Sequence, residues 1–326
     1  MLAIGALAFV LSGFDRRRFF DVLADADLRL LALVPLTLVT EQLVRAWKWR
    51  QFLRQLRPGI GTFRLFTAFM AGYILALLVP FGVSTVTRSW LVARNEDLRL
   101  SAVFATVALD RLSDGVVYAC LLLVAVLSLT LPDQSDGMRV GLIWVGVSGL
   151  AMSVALLVAL ALYRQRALEP TGRLMRLADR LPKRLALGAR SLAAGFAEGI
   201  AWPPELWRGA GVILAALAVK LLAATGYLWV GLALGVALHP VAYLWLVVLF
   251  GVLVSVGHFA RFAGSFVVGA VFALRLLGVP EEQALAMALA LEGASLLTIL
   301  GVGSLSLWAQ GVALAEARSA IRADAP

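Results

Sequence analysis

The sequence predicts an all-α integral membrane protein with about eight transmembrane helices and two re-entrant helical hairpins in an inverted repeat. Three observations predict it. Of 326 residues, 61% are hydrophobic and only 15% charged, and the mean hydropathy of +0.90 lies far above that of a soluble domain. Apolar runs of about 20 residues, the length a helix needs to cross a hydrocarbon core about 30 Å thick, recur along the chain. The third is charge placement: 29 basic against 20 acidic residues give a net +9, and the excess lies in loops between apolar runs. That pattern reports orientation in a membrane, not nucleic-acid binding. Residues 1–326 therefore read as a single transmembrane domain.

Taken in order, residues 1–14 are apolar but short, with no basic n-region and no AxA-type cleavage site. They read as a thin or truncated first helix, not a signal peptide. The next run, 28–46, is long enough to span. Residues 45–64 then carry Arg45, Lys48, Arg50, Arg54, Arg57 and Arg64 with no acid, which places them in the cytoplasm by the positive-inside rule. The run 101–131 leads to the acidic connection Pro132-Asp133-Gln134-Ser135-Asp136-Gly137, which reads as external. The 29 residues 65–93 in between must cross an even number of times, yet two crossings need about 40 residues, and Pro80-Phe81-Gly82 breaks the run. A hairpin near 72–94 that returns to the cytoplasm satisfies the parity. Non-helical backbone at that depth is tolerated only where it lines a cavity or is buried in protein.

The run 140–163 returns the chain to a second basic segment, 164–208, with nine basic residues against Glu169, Asp179, Glu198 and Glu205. Its stripe of Leu174, Leu177, Leu181 and Leu185 predicts an amphipathic helix on the anionic inner leaflet; a plain solvated helix is the alternative. The run 208–236 goes outward to a turn at His239-Pro240, 241–257 heads back, a second hairpin at 258–278 opens outward to Pro280-Glu281-Glu282, and 283–311 ends inside. Two hairpins of opposite orientation, each followed by a long helix, are the pattern of an inverted-repeat transporter. An offset of 181 aligns Phe81 with Phe262, Ser84 with Ser265, Val86 with Val267 and Arg94 with Arg275.

Charges fall where lipid should be. Asp110 lies nine residues beyond Ser101, so roughly 14 Å deep, and Asp114 shares its face at i, i+4. Each charge there costs at least about 2.5 kcal/mol unless paired or hydrated. Arg111, or an arginine from elsewhere, is the expected counter-ion, and a buried cluster with Arg88 follows; a mere staple between hairpin and helix is the competing reading. Lys220, His258, Arg261 and Glu292 lie at comparable depth, as do Glu41 and Arg45, although Arg45 and Lys220 are long enough to snorkel. Arginine forks match phosphate oxygens bidentately, so an anionic headgroup is the expected guest.

Other chemistry lacks its residues. The single cysteine, Cys120, excludes an internal disulfide, and His239 and His258 form no metal-binding motif. There is no GxSxG, no GxxxxGK[ST] and no soluble domain for a nucleotide. The expectation is a transporter, not an enzyme, with no cofactor, no metal and no nucleic-acid partner. Two alternatives stay open: a transferase using Asp110 and Asp114 to hold a divalent cation, and a non-catalytic scaffold for lipid biosynthesis.

The run Arg45-Ala46-Trp47-Lys48-Trp49-Arg50, the break Leu78-Val79-Pro80-Phe81-Gly82 with Arg88 behind it, Asp110-Arg111-Leu112-Ser113-Asp114, and the glycine-rich Gly264 to Gly269 resemble the lysylphosphatidylglycerol-synthase transmembrane-domain family of flippase-like membrane proteins. The resemblance covers nearly the whole chain. It implies eight helices, two re-entrant hairpins and movement of a lipid between leaflets of a bacterial cytoplasmic membrane. It does not imply lysyl transfer, because the soluble aminoacyl-transferring domain of the larger synthases is missing. The family usually has a glutamate in each hairpin, where this chain has Ser84-Thr85 and Phe266-Val267-Val268-Gly269, and often an arginine where Glu292 stands. The chain is also similar to the branch associated with hopanoid biosynthesis, so phospholipid, isoprenoid phosphate and hopanoid are all open as substrates. Arg88, Asp110, Arg111, Asp114, His258, Arg261, Glu292, Ser84 and Lys220 are the expected headgroup-binding residues.

Overall fold

The computed structural model describes residues 15–78, 83–128, 136–167, 183–257 and 265–310, and these form eleven helices. They are α1 (Arg16–Ala24), α2 (Leu28–Leu53), α3 (Thr62–Leu78), α4 (Val83–Asn95), α5 (Leu100–Ser128), α6 (Asp136–Ala167), α7 (Lys183–Gly199), α8 (Leu206–Ala233), α9 (Pro240–Gly257), α10 (Ser265–Leu276) and α11 (Glu281–Ala309). Among the described residues, α2, α5, α8, α11 and the Arg139–Arg166 stretch of α6 are long and apolar enough to cross a membrane. The remaining apolar helices, within α3, α9 and α10, are shorter. Eight spans were expected; among the described residues five helices meet the length, and residues 1–14 lie outside the described residues.

Helix ends follow local chemistry. The Asp15 carboxylate caps α1 by accepting from the N–H groups of Arg17 and Arg18 at 3.0 and 3.3 Å, and Asp27 accepts from Arg29 N–H at 2.8 Å to start α2. Within the helices, Thr37, Thr40, Ser89, Thr225 and Thr298 each donate to the carbonyl four residues back. A hydroxyl in lipid has no water to turn to, so it bonds its own helix. Residues 45–53, expected in a cytoplasmic loop, instead continue α2. The basic residues there lower the hydropathy without breaking the helix, because the fold supplies partners for them.

The chain divides into two compact units: unit I holds Met1–Glu41, Tyr118–Val147 and Ala218–Gly301, and unit II holds Gln42–Val117, Ser148–Leu217 and Val302–Pro326. In each, two consecutive helices pack on each other, α3 with α4 in unit II and α9 with α10 in unit I. Both pairs start upstream of the expected hairpins, at Thr62 and Pro240. Unit I is built on a core that includes Val34, Val230, Tyr243, Trp245, Leu246, Ala273 and Ala284. The Tyr243 ring lies so close to Gly231 that any side chain there would strike it, and its hydroxyl donates to Val236 carbonyl at 2.6 Å. In unit II, α7 docks on the start of α5, where a Cβ on Gly199 would collide with the Ala102 carbonyl. Tyr163 fixes α7 to α6 by donating to Ala193 carbonyl at 3.1 Å.

The offset of 181 organises the helices. It carries Leu100–Ser128 onto Glu281–Ala309 end for end and the last residue of α4, Asn95, onto the last residue of α10, Leu276. The turns after these helices also match. Asp97, at φ 52°, corresponds to Gly278, at φ 79°, and Leu98 N–H to Ala93 carbonyl (2.9 Å) corresponds to Val279 N–H to Leu274 carbonyl (3.1 Å). Both are the left-handed cap that closes a helix C-terminus. Helices α2 to α5 thus repeat as α8 to α11.

Candidate functional site

Lys48 lies on the part of α2 that runs past the expected helix end. It is fully buried, and its ammonium lies 3.0 Å from Asp110 Oδ1 and 2.5 Å from Asp114 Oδ1. It also donates to Asp110 carbonyl at 3.1 Å and Ser113 Oγ at 3.4 Å. Arg45, one turn earlier, reaches Asp114 Oδ2 at 4.0 Å. Two cations thus face two carboxylates, which is what allows the charges to be buried at all. Trp49 reinforces the joint by donating from Nε1 to Thr106 Oγ1 at 3.0 Å, and Arg50 Nε donates to Ile60 carbonyl at 2.6 Å.

Arg111 is not the counter-ion: it is exposed, whereas Asp110 and Asp114 are buried. One residue along a helix is a rotation of about 100°, so a neighbour in sequence points away, and the i+4 partner shares the face. The sequence signal that marks Lys48 is the same spacing read on α2, where Lys48 follows Arg45 at i+3 and so joins its face.

Arg88, on α4, is a second buried cation among the described residues of unit II, only 3% exposed. Its guanidinium lies 4.4 Å from the centre of the Phe69 ring on α3 and 5.3 Å from that of Trp49 on α2. Its Nε and Nη2 have no hydrogen-bond partner among the described residues, and neither does the Asp110 carboxylate, whose contact with Lys48 is the ion pair alone. Arg88 and Asp110 lie within electrostatic range of each other. Unit II therefore keeps unused donors on an aromatic-clamped arginine and unused acceptors on a nearby carboxylate. An anion would satisfy the first, and a hydroxyl or ammonium the second.

Unit I holds a separate polar group. Lys220 on α8 lies 4.5 Å from the Tyr118 ring centre, and Tyr118 donates to Val247 carbonyl on α9. Tyr227 is within electrostatic range of Tyr118, Glu41 and Glu292. The expected site residues are thus distributed: Arg88, Asp110 and Asp114 in unit II, Lys220 and Glu292 in unit I. Ser84 stands in the first turn of α4. His258 and Arg261 lie outside the described residues. No group of three or more potential metal ligands occurs among the described residues.

An all-helical chain with long apolar helices and charges buried in ion pairs defines a multi-pass membrane protein. The chain belongs to the family described as the lysylphosphatidylglycerol synthase TM region, which it matches over residues 1–303. The family relates it to lipid metabolism or transport. No curated protein and no solved structure matches the chain.

Proposed function

We propose that this protein is a flippase-like transporter of a bacterial cytoplasmic membrane that moves an amphipathic lipid between leaflets. The observation that carries the reading is Arg88. Placing an ion in an apolar interior costs several kcal/mol even after relaxation, and stacking on rings returns about 2 kcal/mol. A cation buried with free donors is therefore poised for an anion. Its position on the second helix of a hairpin fits a headgroup held in a polar cavity while the tails stay in the bilayer. The repeat of α2 to α5 as α8 to α11 supports a mechanism in which the two hairpins open in turn to opposite leaflets.

The substrate class is an anionic phospholipid, an isoprenoid phosphate or a hopanoid with a polar headgroup, and the reaction makes and breaks no bond. Reconstituted liposomes carrying a labelled member of each class test it. Accelerated exchange of one class between leaflets is expected, and no acceleration of any of them by folded protein overturns the reading.

A further inference from the structure

Unit II also carries an open groove whose lining does not include Arg88. Its volume is about 680 Å³, and its walls are almost wholly apolar, formed by Leu109 of α5, Leu157 and Ala161 of α6, and Ile200 and Trp202 beyond α7. At one end stand Arg164 and Gln165. The helix that forms most of it is the least covered of the five long ones: the Arg139–Arg166 stretch has a mean hydropathy of 2.4 and only 6% of its apolar window is buried. In a membrane protein such a surface faces lipid. Leu157 precedes Arg164 by two turns, so the groove runs roughly 10 Å from the charged end towards the bilayer centre, most of the depth of one leaflet.

The Trp202 wall of the groove is held by its neighbours. Trp202 meets Phe52 edge-on at a centroid distance of 5.5 Å. A Cβ on Gly209 would come within 2.7 Å of Trp202 Nε1, so the glycine leaves room for the indole. Tryptophan and arginine together mark the headgroup level of a bilayer. Arg164 and Arg166 both stand in the last turn of α6, a pair of cations that favours anionic over zwitterionic headgroups.

We infer that this groove binds one acyl tail of an anionic phospholipid of the cytoplasmic leaflet, held as a resident lipid with its phosphate on Arg164. The site is independent of transport and of Arg88. Native mass spectrometry of the detergent-purified full chain, with phosphatidylglycerol and phosphatidylcholine of matched tails, tests it. A phosphatidylglycerol held by wild type and Arg88→Met alike is expected, in preference to phosphatidylcholine. Arg164→Gln removes about 1 kcal/mol of headgroup attraction, so the preference falls about five-fold. Ala161 is exposed, so Ala161→Trp fills the groove without disturbing the core and removes the lipid, while Leu297→Trp, at a surface leucine 71% exposed, leaves it bound. Equal retention of the two lipids, retention by folded Ala161→Trp, or occupation by detergent or a second copy of the chain alone overturns the inference.

Discussion

Lys48 and Arg88 are both buried cations of unit II, yet their surroundings assign them opposite roles. Lys48 has four oxygens within 3.4 Å, so it is a structural joint between α2 and α5. Lys48→Met removes the ammonium that lies between Asp110 and Asp114 and should cost about 3–5 kcal/mol, seen as loss of folded protein or a large drop in Tm. Adding Asp110→Asn should restore part of it. Arg88 has rings but no hydrogen bonds at Nε and Nη2. Arg88→Met relieves a desolvated charge, and the cation–π loss of about 2 kcal/mol does not exceed that gain. Its Tm should hold or rise while transport falls, a separation that a structural arginine would not give. The two aspartates were legible in the sequence because carboxylates are costly in an apolar run. Lys48 was not, since a lysine near the end of an apolar run looks like the start of a basic loop.

At the scale of elements, the repeat shows what sequence retains and loses. Helix lengths and caps match at one offset, but the charges do not: Lys48, Asp110 and Asp114 correspond to Trp229, Leu291 and Ser295. A helix end depends on a local cap, whereas a buried charge persists only with its partner, so the boundaries match where the charges do not. That α3 and α4 are separate helices was readable, but where each pair begins was not, because an apolar run gives no sign of which part pairs with its neighbour. The matched caps give a further prediction. Asp97 occupies the left-handed conformation that Gly278 adopts freely, so Asp97→Gly should stabilise the protein by about 1 kcal/mol and Gly278→Asp destabilise it by a similar amount. Thermal unfolding in detergent measures both.

For the whole molecule, hydropathy and charge were enough to define a helical membrane protein, because those properties are set by composition. The distribution of the polar residues over two units was not legible, since partners far apart in sequence are joined only by the fold. Orientation is open to direct test. In a Cys120→Ala background, Asp97→Cys should react with a membrane-impermeant thiol reagent only after the cytoplasmic side is exposed, and His239→Cys should react from outside in intact cells. Both positions are exposed. The central claim, that Arg88 holds a lipid headgroup during transfer, is tested most directly by lipid exchange in liposomes containing wild type or Arg88→Met at equal amounts of folded protein. The account predicts rapid exchange of one lipid class with wild type and a rate near that of empty liposomes with Arg88→Met. Equal rates for the two proteins would contradict it.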